Sequence, residues 1–149
     1  MKAQNYIKIN FPSKSVNEGL ARSAVSAFCA QLDPTVEQIN DIKTAVSEAV
    51  TNCIVHGYRD TVGIIYITAT IVDDTLTVKI CDKGVGIEDV DKAMRPMYTT
   101  DPDSERAGIG FAVMQSFMDS LKVKSAVGKG TRVVMTKKVT PRNKDVIAT

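Results

Sequence analysis

Alternation of hydrophobic and polar residues predicts a first strand and a hairpin. Residues 5–11, NYIKINF, alternate with period two, although Tyr6 breaks the pattern, and Pro12 closes the segment. Residues 64–72 and 75–81 alternate in the same way, and two aspartates separate them. Two alternating runs joined by a short polar turn are typical of a β-hairpin.

A second hairpin is predicted near the end of the chain. Residues 122–127 and 131–139 have strand character and flank the Gly-Lys-Gly sequence at 128–130. Glycine favours the tight turn that such a connection needs.

Helical spacing of hydrophobic residues predicts three helices. The first is predicted over residues 15–32 and the third over 110–121. The second is predicted from about Pro34 to Gly57, because Asp33 can cap free amide groups and proline is favoured at the first helical position. Hairpins with segregated helices indicate an α+β fold, a two-layer sandwich of one mostly antiparallel sheet with helices on one face.

The length of 149 residues indicates a single domain, which we assign to residues 1–139, followed by a loosely ordered tail at 140–149. No run approaches the ~20 apolar residues of a membrane span, and the N-terminus has no apolar signal core. We therefore expect no membrane association and a cytoplasmic location.

Charge and cysteine content narrow the function classes further. The formal net charge is only +2, so we expect no broad basic face and no direct nucleic-acid binding. The three cysteines have no metal-ligand or redox spacing, which predicts small core residues in a reducing compartment.

Three polar residues recur at steps of four within the apolar second helix. Glu48 and Asn52 form a ridge beside the hydrophobic stripe, and His56 follows one turn later. From this position the first two side chains can reach a cleft beside the sheet. A solvated helix edge is the alternative interpretation.

An aspartate at the predicted end of a strand is the second candidate for chemistry. Asp82 follows the strand at 75–81, and Gly84 and Gly86 come directly after it. A carboxylate here can accept a hydrogen bond from an exocyclic amine, and glycines let the backbone approach a flat ring. An ordinary turn has the same composition.

A glycine pair at a predicted helix start is the third candidate. Gly108 and Gly110 precede the third helix, where free amide groups favour phosphate, and Arg106 adds a cation. Glycines also serve helix entry, so this motif alone is weak. In the last hairpin Thr131 can donate to a phosphate or a base, or take part only in the turn.

Together these motifs, SEAVTN…HG, DKGVG, ERAGIGF and GKGT, resemble in their order the nucleotide-binding boxes of the GHKL superfamily. That superfamily joins gyrase, Hsp90, histidine kinases and MutL, and shares the Bergerat ATP-binding fold. The segments FCAQLDPT, IKTAVSEAVTNCIVHGY, RPMYTTDP and SERAGIGFAVMQSFMD are further similar to the anti-sigma F family of spore-forming bacteria. The resemblance covers the chain as far as about Val139.

The resemblance implies ATP or ADP as ligand, Mg²⁺ as cofactor, and a role for each matching residue. Glu48 would be the general base, Arg106 would act at the γ-phosphate, and Asn52 would bind Mg²⁺ through its side-chain oxygen. Asp82 would bind the adenine amine, and residues 95–107 would form a lid. The implied nucleotide-binding set is Asn52, Asp82, Gly84, Gly86, Thr99, Thr100, Gly108, Ile109, Gly110, Phe111 and Thr131.

The resemblance also implies protein partners. Arg22 matches the family position that contacts both a sigma F-like sigma factor and its anti-anti-sigma factor, although a solvated arginine is the alternative on sequence alone. A homodimer is implied, with the first strand as the candidate seam. His56 is expected to support the helix end by hydrogen bonding.

The expected function is therefore an anti-sigma factor that is also a serine protein kinase for the anti-anti-sigma factor. Three alternatives remain open: a general-stress anti-sigma kinase, a non-catalytic nucleotide-gated binding module, and a stand-alone ATPase of the gyrase type.

Overall fold

A computed structural model describes residues 4–95 and 110–141. In these residues five strands form one sheet in the order β1-β2-β3-β5-β4, with every neighbouring pair antiparallel. The elements, in chain order, are β1 (Asn5–Pro12), α1 (Val16–Cys29), α2 (Val36–Asn52), β2 (Ile64–Val72), β3 (Thr75–Asp82), α3 (Val90–Ala93), α4 (Gly110–Phe117), β4 (Ser120–Ala126) and β5 (Gly130–Lys138). The predicted α+β class is confirmed.

The hydrophobic core lies between one face of the sheet and the helices α1, α2 and α4. Ile80 in the middle of β3 pairs with Ile67 of β2 and with Val133 of β5, and all three are buried. From α2, Val46 and Val50 are fully buried and lie one helical turn apart, as the hydrophobic stripe predicts. The period-two pattern of the strands therefore places one side of each strand against the helices.

The opposite face of the sheet is basic, which the small net charge conceals. In register, Lys8 on β1 aligns through Thr68 with Lys79 on β3, and Lys79 aligns through Val134 with Lys122 on β4. The described strand positions on this face carry no acidic residue, and their cations are Lys8, Lys79, Lys122, Lys124, Arg132 and Lys138. The expectation of no broad basic face was therefore wrong, because composition says nothing about how charges are distributed.

The start of α2 differs from the prediction. Asp33 does not cap the helix; its φ of 51° lies in the left-handed region, where it ends a short 3₁₀ turn over Ala30–Leu32. Thr35 is the cap instead, and its hydroxyl accepts a hydrogen bond from the Gln38 N–H at 3.1 Å. The Gln38 side chain in turn accepts from the Thr35 N–H at 3.1 Å, which completes a capping box.

Thr35→Ala is expected to lower the free energy of unfolding by about 1 kcal/mol, because it leaves an amide group at the start of α2 without a partner. For a chain of this size the melting temperature should fall by about 3 °C in thermal unfolding. Thr44→Ala is the matched control, because the Thr44 hydroxyl donates to the Asn40 carbonyl within α2 and caps nothing. Equal effects of the two substitutions would contradict the role of the capping box.

The ends of the helices also differ from the sequence pattern. α1 ends at Cys29, before the 3₁₀ turn, and α2 is α-helical only to Asn52. Residues Cys53–Gly57 form a π-helical turn, in which the Tyr58 N–H donates to the Cys53 carbonyl. α4 ends at Phe117 rather than at 121, because the Asp119 N–H already donates to the Thr136 carbonyl of β5.

Val139 directly follows β5; it is fully buried and donates its N–H to the Asp74 carbonyl. The predicted boundary at 139 and the predicted tail stay predictions, since residues 142–149 lie outside the described part. Within the described ranges no helix is long and apolar enough to cross a membrane.

Candidate functional site

A cavity of about 540 Å³ opens where the C-terminal half of α2 meets the end of β3, the start of β5 and the start of α4. This volume is in the range of pockets that bind nucleotide-sized ligands. Ala49, Ile80 and Val133 supply part of an apolar floor. Polar side chains from α2, the π-helical turn after it, β3 and β5 also line the cavity, among them Asn52, His56, Asp82 and Thr131.

Asp82 lies at the end of β3 and is the acidic side chain buried most deeply in the cavity wall, with 6% of its surface exposed. Its Oδ1 accepts a hydrogen bond from the Gly84 N–H at 2.9 Å. Burial raises the pKa of this carboxyl above its ordinary value, while hydrogen bonds from the Gly84 N–H, the Cys53 thiol and the Thr131 N–H act in the opposite direction. The site therefore contains a buried acceptor that is partly satisfied by the protein itself.

Glycines allow three chain segments to meet around Asp82. A Cβ on Gly57 would lie 2.8 Å from the Asp82 carboxyl group, and a Cβ on Gly84 would lie 2.0 Å from the Gly57 carbonyl oxygen. Gly86, with a φ of +77°, lines the cavity and lies against the Ala126 carbonyl. These contacts are too close for any other residue, so the glycines of this segment shape the wall of the cavity.

Asn52 lines the same cavity as Asp82 and lies against the first residue of α4. A Cβ on Gly110 would lie 2.8 Å from Asn52 Oδ1, so the amide packs where a larger residue would place its side chain, and Phe111 lines the same cavity. In the described residues no cluster of three or more His, Cys, Asp or Glu side chains could hold a metal ion. A single amide side chain lining the cavity nevertheless fits Mg²⁺, which keeps several waters and takes other oxygens from phosphates.

Glu48 lies one turn before Asn52, but it does not line the same cavity. It contributes to a shallow cavity of about 350 Å³ between α1 and α2, together with Arg22, Lys43 and Ser47. In the described residues Glu48 and Asn52 therefore line different cavities, and the predicted role of each stays a prediction. Arg22 of α1 lines the same shallow cavity as Glu48, and Arg22 Nη1 lies 3.1 Å from Glu18 Oε1.

Five predicted site residues lie outside the described residues: Thr99, Thr100, Arg106, Gly108 and Ile109. The same holds for most of the predicted lid. Thr131 lies within them, pairs in register with Asp82 and lines the large cavity.

Two residues next to Asp82 were missed by sequence reasoning. The Cys53 thiol donates to the Asp82 carboxyl, and burial together with that negative charge raises the pKa of the thiol well above its ordinary value. The Tyr58 hydroxyl accepts from the Lys83 N–H at 2.8 Å and donates to the Ile64 carbonyl, which holds the end of β3 in place. Both residues follow Asn52 in the segment IKTAVSEAVTNCIVHGY, where Cys53 begins the π-helical turn and Tyr58 directly follows it.

Comparison with known proteins identifies the family to which the chain belongs. Residues 11–137 match the family model described as a histidine kinase-like ATPase domain. The anti-sigma F factor of Thermoanaerobacter sp. (strain X514) is 59% identical over 137 residues, covering 92% of this chain and 96% of that protein. The anti-sigma F factor of Clostridium acetobutylicum is 53% identical over 135 residues, covering 91% and 94%.

A solved structure supports the fold alone. The crystal structure of the RsbU and RsbW domains of a Mycobacterium tuberculosis protein superposes with a TM-score of 0.65 at 18% identity, covering 91% of this chain and 32% of that one. The predicted GHKL fold and family resemblance are confirmed. The chain belongs to the family of histidine kinase-like ATPase domains and, within it, to the group formed by the anti-sigma F factors.

Proposed function

We propose that this protein is an anti-sigma factor and an ATP-dependent serine protein kinase. It binds and inhibits a sigma F-like sporulation sigma factor, and it phosphorylates the corresponding anti-anti-sigma factor on serine. The family membership and the names of its relatives support the anti-sigma role.

One observation carries the kinase proposal. Glu48 and Arg22 line one shallow cavity, whereas Asn52, one helical turn farther along α2, lines the nucleotide-sized cavity. Positions four apart on a helix are neighbours on its surface, about 6 Å apart. A partner protein held at Arg22 would therefore bring a serine close to both a carboxylate and the nucleotide.

On the nucleotide side, Asp82 accepts a hydrogen bond from the adenine amine. Mg²⁺ held at Asn52 supplies neutralisation of phosphate charge, which phosphoryl transfer requires. The amide groups at the start of α4, together with Gly108, Ile109, Gly110 and Phe111, bind the phosphates, and Arg106 acts at the γ-phosphate. Gly86 and Thr131 complete the adenine side, and the threonines Thr99 and Thr100 belong to the lid.

On the partner side, Glu48 takes the proton of the serine hydroxyl as its oxygen attacks the γ-phosphorus. The new bond joins the serine oxygen to the phosphoryl group, and the bond to the β-phosphate oxygen breaks to release ADP. Transfer to serine rather than to water requires only that the bound partner exclude water from this side.

Nucleotide state chooses the partner in this proposal. With ATP bound, a homodimer of this protein binds the sigma factor. With ADP bound, the protein forms a lasting complex with the unmodified anti-anti-sigma factor. Such switching needs only that each partner has a different affinity for the two states. The edge position of β1, with Tyr6 exposed, supports the proposed dimer seam.

The test measures phosphoryl transfer to the anti-anti-sigma factor and binding of the sigma factor. With labelled ATP and Mg²⁺, the protein is expected to label a serine of the anti-anti-sigma factor and, in a pull-down, to retain the sigma factor. Arg22→Ala is expected to weaken retention at least tenfold while ADP affinity stays unchanged, since Arg22 lies outside the nucleotide cavity. Lys14→Ala is the matched control, because Lys14 is an exposed cation just before α1 for which no contact with a partner protein is predicted.

The alternatives give different results in the same experiment. Retention of the sigma factor without any label on a partner identifies a nucleotide-gated binding module. Rapid phosphate release to water without a partner identifies a stand-alone ATPase. Transfer only to a general-stress antagonist identifies the related stress-response kinase.

A further inference from the structure

Ser125 on β4 lies behind the adenine side of the cavity and makes three short polar contacts. Its hydroxyl oxygen accepts the Ile87 N–H at 2.7 Å, lies 2.8 Å from the Gly130 carbonyl oxygen, and lies 2.8 Å from Thr131 Oγ1. Ser125 itself does not line the cavity, whereas Ile87 and Thr131 do.

The direction of each hydrogen bond follows from counting protons. A hydroxyl has one proton and two acceptor positions, and a carbonyl oxygen can only accept. The Ser125 proton is therefore donated to Gly130, and the Ile87 N–H occupies one acceptor position. The short contact with Thr131 is then a hydrogen bond only if the Thr131 hydroxyl donates to Ser125.

This direction decides what Thr131 presents to a ligand. With its proton turned toward Ser125, Thr131 has only lone pairs left for the cavity. Thr131 pairs in register with Asp82, so their side chains lie on the same face of the sheet, and the Asp82 carboxylate is also an acceptor. The adenine side of the cavity therefore presents two neighbouring acceptors, which match an amine and repel a carbonyl oxygen.

We propose that Ser125 is a positioning residue for base selection: it holds the Thr131 hydroxyl as an acceptor, so that the cavity selects a purine with an amine at position 6. This inference rests on the proposed nucleotide binding and deepens it. Without Ser125, the Thr131 hydroxyl is free to rotate and to donate to a 6-oxo group.

The same two strands supply a matched control. Ser120 and Thr136 form a similar hydroxyl pair across β4 and β5, at the other end of the strands and away from the cavity. Ser120→Ala therefore removes the same chemical group from the same strand pair without touching the adenine side.

The experiment measures the dissociation constants of ADP and of inosine diphosphate by titration calorimetry. ADP has an amine at position 6 of the base. Inosine diphosphate has an oxo group there and carries a proton on N1. The preference is the dissociation constant of inosine diphosphate divided by that of ADP. Ser125→Ala is expected to lower this ratio about five- to tenfold, the effect of one hydrogen bond. Ser120→Ala is expected to keep the wild-type preference.

A role confined to structure predicts a different result. Loss of the Ile87 contact alone would weaken both ligands equally, so an unchanged preference in Ser125→Ala overturns the inference while leaving ADP binding, and the proposed function, intact. In a Thr131→Val background the Ser125 substitution should no longer change the preference, and a preference that still narrows also overturns it. If the wild type binds neither ligand, the proposed function fails and this inference fails with it.

Discussion

Glu48→Gln is expected to lower the rate of phosphoryl transfer to serine about 100- to 10,000-fold, which is the usual contribution of a general base. Glutamine keeps the size and polarity of the side chain but cannot take the serine proton at neutral pH. ADP affinity is expected to stay within about twofold of wild type, because Glu48 does not line the nucleotide cavity. Single-turnover transfer from labelled ATP measures the first quantity, and calorimetry measures the second.

Glu37→Gln is the control for this substitution, because Glu37 is an exposed carboxylate in the first turn of the same helix. If Glu48→Gln transfers the phosphoryl group at the wild-type rate, Glu48 is not the general base. Loss of ADP binding in that variant would instead show that Glu48 acts on the nucleotide cavity.

Asp82→Asn is expected to weaken ADP binding about 10- to 100-fold, because a hydrogen bond from a ligand amine to a carboxylate is replaced by one to a neutral amide. The melting temperature without nucleotide is expected to be no lower than that of wild type. A carboxyl whose pKa is raised by burial makes the folded protein bind its proton more tightly than the unfolded chain does. The ionised form therefore costs stability at neutral pH, and the amide removes that cost.

The same group predicts a pH dependence. As the pH rises from below the ordinary value of 3.8 through the raised pKa of Asp82, the folded protein loses the stability that proton binding supplied. ADP binding changes in the opposite direction, because it needs the carboxylate, so ADP affinity falls as the pH is lowered through the same pKa. In Asp82→Asn this loss of affinity at low pH should be absent.

Asp73→Asn is the control for both measurements, since Asp73 lies in the exposed turn between β2 and β3. A variant at position 82 that binds ADP as tightly as wild type would exclude Asp82 as the acceptor for the base. A markedly lower melting temperature would show that the hydrogen bonds the carboxylate accepts from the Gly84 and Thr131 N–H groups outweigh the cost of burying its charge.

The family boxes lie far apart in the sequence, and the fold brings their polar residues to one cavity. Asn52, Asp82 and Thr131 come from α2, β3 and β5, and all line one cavity. Their order along the chain was enough to recognise the nucleotide-binding family, because the boxes combine glycines and polar residues at spacings that an ordinary core does not need. Their roles in binding stay predictions until ligand binding is measured.

Local sequence could not choose between two residues that both cap helices well. Asp33 and Thr35 precede α2, and the sequence pattern favoured Asp33 with Pro34. The structure uses Thr35 with Gln38, since Asp33 takes a left-handed conformation to end the 3₁₀ turn. The choice depends on how the chain leaves α1, which short-range propensity does not contain.

The sequence by itself determined the strands, the hydrophobic stripe of α2 and the family, because periodicity records which side of an element is buried and the boxes record which residue types the site needs. Only the tertiary structure decided that Glu48 and Asn52 line different cavities, and that the Ser125 and Thr131 hydroxyl oxygens lie 2.8 Å apart. These features depend on the rotation of one helix against another and on the register of paired strands. Both are set by contacts between residues far apart in the chain, which no local pattern contains.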